Sequence, residues 1–239
     1  FAENPDVRTV GGELRTALEQ ILGEPIELTV AGRTDAGVHA MGQVVSFCSS
    51  SPRLDCERLR VALNGICSAD IRIHAVTPVA DDFNARFSAT ERMYHYYILN
   101  SPLADPLRAD IEWHISESLD VDAMSHAASL FLGEHDFTSF CRRPKGRLEQ
   151  PLVRNIRSSQ WVIQTQQRIQ FEIAANAFCH QMVRSLTGFC VAVGLGKVEA
   201  ETFEAVIEAK SRAAAPPIAP PHGLILKRVV YGETHGQDQ

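Results

Sequence analysis

The sequence lacks the signatures on which much enzyme chemistry is built. It has no GxxxxGK[ST] phosphate loop, no GxGxxG, no HExxH and no GxSxG. Its nine histidines are scattered singly, and no three share a metal-ligand spacing. Phosphoryl transfer, redox chemistry and metal hydrolysis are thereby left without their usual residues. The six cysteines form no CxxC pair, which argues against a zinc ribbon or a thioredoxin-like site. Several fall in apolar or helical stretches, so reduced, buried thiols in a cytoplasmic protein are expected. No apolar run approaches the roughly 18 residues of a membrane span. The first residues, FAENPDVRTV, lack the basic-then-apolar order of a secretory leader, and none is expected. An overall basic excess is missing too: 23 Lys and Arg face 29 Asp and Glu, a net charge of −6.

What is present is 239 residues, enough for one large or two small domains with a real core. Val10, Leu14, Ala17, Leu18 and Ile21 recur at helical spacing and predict a helix over 9–22. IELTV (26–30) and GQVVSFC (42–48) read as strands. DCERLRVALNGI (55–66) reads as a helix with Asp55 as its cap. DIRIHAVTPV (70–79) alternates like a strand, and ERMYHYYIL (91–99) is a strand rich in aromatics. SPLADPLRAD (101–110), with two prolines, reads as the domain boundary. Beyond it, a helix is expected over 120–133, a hairpin from 155–164 and 168–176, helices over 180–194 and 201–210, and a strand over 224–231. The expected class is α+β: domains 1–104 and 105–239, each a mostly antiparallel sheet with helices on one face, and a catalytic cleft between them.

Three stretches offer chemistry. AGRTDAGVHA (31–40) packs Arg33, Thr34, Asp35 and His39 into one loop between strand-like segments, with Gly32 and Gly37 permitting tight turns. An isolated Asp-Ala-Gly is ordinarily a turn; the density of functional side chains is what singles this one out. FNARFSATERMYHYYI (83–98) places Arg86 and Arg92 around a turn that feeds a strand. On that strand Tyr94 and Tyr96 share one face and Tyr97 takes the other. Such aromatics are core, or beside arginines a stacking surface for bases. In NAFCHQMVRSLTGF (176–189), Arg184 lies inside an otherwise apolar helix. It either reaches solvent or needs an acid from elsewhere, and Asp35 is the most interesting one available. Two further basic runs, CRRPKGR (141–147) and RLDCERLR (53–60), read equally as solvated surface or as RNA contacts. One carboxylate with basic and aromatic company suits chemistry at a glycosidic carbon or an electrophilic ring, without a cofactor.

GRTDAGVHA (32–40) resembles the signature of the TruA-type tRNA pseudouridine synthases. RTVGGEL, FNARFSA followed by RMYHYYI, EHDFTSFC, NAFCHQMVRSLTG and APPHGLILKRVVY resemble that family's other blocks, in order, over nearly the whole chain. The resemblance implies conversion of uridine to pseudouridine at positions 38, 39 and 40 of the tRNA anticodon stem-loop, by a homodimer that needs no metal or cofactor. It implies that Asp35 is the catalytic carboxylate and that Tyr94 stacks on the base and mediates the C5 proton. Arg184 would be the ion-pair partner of that aspartate, and Arg33 would help extrude the nucleotide. Thr34, His39, Arg86 and Arg92 are further candidates for contact with the RNA. One feature departs from the family. Its members open with a YDGTxFxGWQ-like strand and loop, whereas Phe1 stands near the end of that block, so a strand beside the catalytic loop is expected to be missing. Two other readings stay open: an RNA-binding protein without activity, and a small-molecule glycosidase, which would want two carboxylates where the loop offers one.

Overall fold

A computed structural model describes residues 1–4, 6–51, 54–143 and 150–232. The first elements are α1 (Val10–Leu22), β1 (Thr29–Val30), β2 (His39–Ala40), β3 (Val45–Ser46), α2 (Cys56–Ile66) and β4 (Ala89–Asn100). Then come β5 (Trp113–Ile115), α3 (Val121–Ser129), β6 (Gly133–Asp136), β7 (Val153–Ile163), β8 (Arg168–Ala175), α4 (Met182–Gly194), α5 (Thr202–Glu208) and β9 (Leu224–Tyr231). The chain forms two compact units. One comprises 1–36, 43–89 and 231–239; the other comprises 37–42 and 90–230. These units divide the chain differently from the domains read from the sequence, since 37–42 and 90–104 group with the later residues.

The first unit is built on α1 and α2. Thr9 caps α1 by accepting from Gly12 N at 3.1 Å, and Asp55 caps α2 by accepting from Arg58 N at 3.0 Å. Leu14, Ala17 and Leu18 of α1 meet Leu59 and Leu63 of α2 in a buried cluster that takes in Ile26 and Ile71. The strands expected over 26–30 and 42–48 shrink to the antiparallel pair β1–β3, with Thr29 opposite Ser46 and Val30 opposite Val45. The strand expected over 70–79 does not form. Ile71 is buried, and Ile73 and Val76 pack against the same cluster. The backbone at Ile73 is satisfied by the Asn64 side chain, which donates to Ile73 O and accepts from Ile73 N, both at 2.8 Å. The alternation of apolar residues there records burial against helices, not pairing in a ladder.

The second unit carries a seven-stranded sheet in the order β2-β9-β4-β8-β7-β6, with β5 beside the end of β4. The β4–β8, β8–β7 and β7–β6 pairs are antiparallel, while β2–β9 and β4–β5 are parallel. Tyr96, Ile98, Phe171 and Ile173 of β4 and β8 are fully buried. Phe171 meets Phe131, which also touches Phe189 of α4 and Phe203 of α5. This aromatic cluster ties the helices to the sheet. Its burial, at about 25 cal/mol per Å² of apolar area, is the main stabilising contribution of this unit. α3 ends at Ser129, four residues before the expected Gly133, because Gly133 (φ +91°) opens β6 instead. β5 and β6 are too short to have a period of their own.

SPLADPLRAD, read from the sequence as the domain boundary, lies within the second unit. Glu112, almost wholly buried, accepts from Arg108 Nε at 2.6 Å and from Arg168 Nε at 3.1 Å, and Arg168 Nη2 reaches Asp105 Oδ2 at 2.6 Å. His114 bonds Ser101 O at 2.8 Å. Pro106 opens a short 3-10 turn (Pro106–Arg108) that this network fastens to the sheet. The expectation of reduced thiols throughout is also corrected. Cys141 and Cys179 are joined as a disulfide with their Cα atoms 5.8 Å apart, whereas Cys48, Cys56, Cys67 and Cys190 are free.

Asp136, at the end of β6, holds the following turn together. Its Oδ1 accepts from Thr138 Oγ1 at 2.6 Å, Leu152 N at 2.9 Å and Thr138 N at 3.2 Å. Partial burial works against the charged form, but those bonds outweigh it and hold the carboxyl below its ordinary value. A depressed folded pKa contributes stability above the unfolded carboxyl value of about 4, and that contribution is lost as pH falls through the folded value. Asp136→Asn is expected to lose about 1–2 kcal/mol at neutral pH and to show a shallower loss of stability with acid than the parent. Urea denaturation from pH 7 to pH 3 checks this; parallel curves for the two proteins would refute it.

Candidate active site

The loop carrying Asp35 is held at both ends. Before it, β1 pairs with β3, Ala31 N donates to Val44 O at 2.9 Å, and Gln43 Nε2 donates to Gly32 O at 2.8 Å. After it, β2 lies parallel to β9, with His39 opposite Ile225. The turn between needs Gly37, whose φ is +80° and whose missing Cβ would stand 3.2 Å from Pro221 Cγ. A short loop anchored at its stems is how a scaffold presents a reacting side chain. Asp35 and Thr34 are half-buried, and Arg33 is exposed. His39 Nε2 bonds Asp110 O at 2.8 Å, so its imidazole is engaged in fastening the loop's end to its own unit.

Arg86, also expected near the RNA, lies in the first unit with its guanidinium over the exposed Phe87 ring, 5.3 Å from the centroid. The two basic runs part company. In RLDCERLR, Arg58 pairs with Asp55 and Arg60 with Glu57, both on the exposed face of α2, so these two arginines belong to solvated helix pairs. Arg53 lies outside the described residues, as do Lys145 and Arg147 of CRRPKGR. Of the described part of that run, Arg142 is exposed and Arg143 Nη2 donates to Thr138 Oγ1 at 2.9 Å.

In the second unit, three candidates converge on one stretch of backbone. Tyr94 leaves only 8% of its surface exposed and meets the Phe178 ring edge-on at 5.3 Å. Tyr96 is wholly buried, with its hydroxyl on Pro220 O at 2.8 Å, so of the two same-face tyrosines only Tyr94 retains a reachable edge. Arg92, expected to meet RNA, is 8% exposed, and its Nη1 donates to Asn176 O at 2.8 Å. Residues 176–181 then lead into α4 and Arg184. Gln181 enters with φ +67°, a strained left-handed conformation for a non-glycine residue. Arg184 is half-buried, not free to extend into solvent. Its Nε donates to Ala219 O at 2.8 Å, and its own carbonyl accepts from Ala219 N at 3.1 Å.

That grip depends on Gly188, one turn further on, where a Cβ would stand 2.1 Å from Pro217 O. Gly188→Ala must push the 217–219 backbone away from α4. A loss of roughly 3 kcal/mol is expected from such overpacking. Chemical denaturation checks it, and a loss below about 1 kcal/mol would show that the loop yields freely.

Sequence reasoning missed Phe178 and the Ala219 carbonyl. Each acts through a packed contact from a distant segment and leaves no local pattern. Among the described residues, no group of three or more His, Cys, Asp or Glu side chains could hold a metal ion, and no helix is long and apolar enough to cross a membrane.

Comparison with known proteins agrees with these motifs. A model of the tRNA pseudouridine synthase family matches residues 1–88 and 127–232. The tRNA pseudouridine synthase A of Moorella thermoacetica is 41% identical over 223 residues, covering 93% of this chain and 89% of its own. That of Thermosipho africanus is also 41% identical, over 231 residues, covering 97% and 93%. That of Halalkalibacterium halodurans is 41% identical over 226 residues, covering 94% and 84%. With the matched segments taking in the Asp35 loop, Arg86 and the whole of α4, the chain belongs to the tRNA pseudouridine synthase family.

Proposed function

We propose that this protein isomerises uridine to pseudouridine at positions 38, 39 and 40 of the tRNA anticodon stem-loop, acting in the cytoplasm as a homodimer. The observation that carries the reading is the GRTDAGVHA loop: a lone carboxylate, half-buried, on a turn fixed at both stems. The reaction breaks the bond between C1′ and N1, turns the uracil, and joins C1′ to C5; the proton displaced from C5 is lost and N1 gains one. Nothing is oxidised or reduced, so no cofactor is required on this reading.

A stacked uridine must first be flipped out, at a cost of a few kcal/mol. Arg33, exposed on the same loop as Asp35, is suited to holding a phosphate or filling the vacated space. Asp35 is assigned the reacting carboxylate, Tyr94 the ring that stacks on the base and handles the C5 proton, and Arg184 the cation that pairs with the carboxylate. Arg86 and Thr34 are assigned to RNA contact. Arg92 and His39, each bonded to a backbone carbonyl of its own unit, are assigned to positioning.

The test is direct. The purified protein is incubated with unmodified tRNA transcripts bearing uridine at 38, 39 or 40, and tritium release from C5-labelled uridine is followed. Release from these transcripts, and none from transcripts with cytidine at all three positions, is the expected result. Equal release from both would move the target elsewhere in the tRNA, and no release from either would defeat the assignment.

A further inference from the structure

The disulfide sits at the base of the segment that positions the second unit's candidate residues. Cys141 closes the 3-10 turn Phe137–Phe140, and Cys179 lies between Phe178 and the strained Gln181. The neighbouring backbone is drawn together beside the bridge, where Arg142 N donates to His180 O at 2.9 Å. Cys179 O in turn accepts from Met182 N at 3.1 Å, at the first turn of α4. One side of Cys179 therefore holds the ring against Tyr94, and the other leads to Arg184. The accessibility of the two residues differs: Cys141 is 1% exposed and Cys179 is half-buried. The other cysteines have no partner to bridge to, and burial pushes the Cys190 thiol up to about 12, where it is inert.

We propose that Cys141 and Cys179 form a reversible thiol–disulfide pair, a modification site that clamps residues 176–181 when oxidised and releases them when reduced. The Cα separation of 5.8 Å is within the ordinary span for a bridge, so both states are reachable without moving strands. The co-reactant is a low-molecular-weight disulfide, RSSR. The half-buried Cys179 thiolate attacks one of its sulfurs, forming a Cys179–SR mixed disulfide and expelling RS⁻. The Cys141 thiolate then attacks Cys179 Sγ and expels the second RS⁻. The two thiol protons end on the two leaving thiolates, giving two RSH; the protein pair is oxidised and RSSR is reduced. A thiol such as glutathione in excess reverses both steps.

Any effect of the clamp on turnover rests on the proposed synthase activity, so the test reads the chemistry and the segment directly. The full chain is equilibrated in buffers of varied oxidised-to-reduced glutathione ratio, quenched with acid, alkylated and digested for mass spectrometry. A peptide pair joined through Cys141 and Cys179 is expected to rise with the ratio and to vanish in excess reduced glutathione. Amide hydrogen exchange over 176–181 is expected to be slower in the oxidised form by roughly tenfold or more, as local opening is restrained. In Cys141→Ala the glutathione adduct should persist on Cys179, while Cys179→Ala should leave Cys141 unmodified. Absence of the linked peptide at every ratio, or identical exchange in the two states, overturns the proposal. Both are read on the parent chain, so a variant that fails to fold does not decide the matter. Synthase activity that is absent in both redox states would defeat the functional assignment and leave this one standing.

Discussion

Asp35→Asn is expected to abolish pseudouridine formation, lowering turnover by at least about a thousand-fold, while the fold and tRNA affinity survive. The substitution conserves shape and removes the negative charge. A carboxamide can neither attack C1′ or C6 nor take a proton from the sugar, so every route open to this loop is closed together. The stems of the loop are fixed by other contacts. They are the Ala31–Val44 and Gln43–Gly32 hydrogen bonds on one stem, and the β2–β9 pairing with the His39–Asp110 bond on the other. A folded protein with a cooperative thermal transition is therefore expected. tRNA binding, supplied mainly by cations meeting phosphate, should keep its steep salt dependence. Tritium release, filter binding over a salt series and circular dichroism separate the three effects. Turnover within about tenfold of the parent, or lost binding with turnover intact, would remove Asp35 from the role it is given.

How much of this was legible beforehand follows from the range of the forces involved. α1, α2, the β7–β8 hairpin, α4 and β9 are set by period, caps and turn residues, all local, and they form where the sequence places them. The Asp35 loop was also legible, because its functional side chains crowd into consecutive positions. What escaped depends on distant partners. Segment 70–79 alternates like a strand, but Asn64 takes both backbone groups of Ile73. Arg92 looks like a surface cation until the Asn176 carbonyl is seen to receive it. Cys141 and Cys179 stand 38 positions apart and give no spacing to read. Residues 101–110 read as a domain boundary because proline and turn residues stand out in them, while the buried acid that fastens them, Glu112, lies two positions beyond.

That acid makes the second large prediction. Glu112→Ala is expected to destabilise the protein by about 2–3 kcal/mol, a fall in melting temperature of roughly 5–10 °C for a chain of this size. The carboxylate is only 3% exposed and serves two guanidinium groups, Arg108 at 2.6 Å and Arg168 at 3.1 Å. Breaking a buried pair costs about 3–5 kcal/mol when the surviving charge is trapped. Here the surviving arginines are 44% and 31% exposed, so water recovers part of the loss, and Arg168 keeps Asp105 at 2.6 Å. Glu112→Gln, which keeps an acceptor but not the charge, should lose about half as much. The contrast is with the pair of Arg58, itself 89% exposed, and Asp55. Arg58→Ala is expected to change stability by less than about 0.5 kcal/mol, because solvent and salt screen that pair. Thermal melts of the three variants rank them. If Glu112→Ala melted alongside Arg58→Ala, the 101–112 segment would be held by its turn alone, and the buried acid would have no part in fastening it.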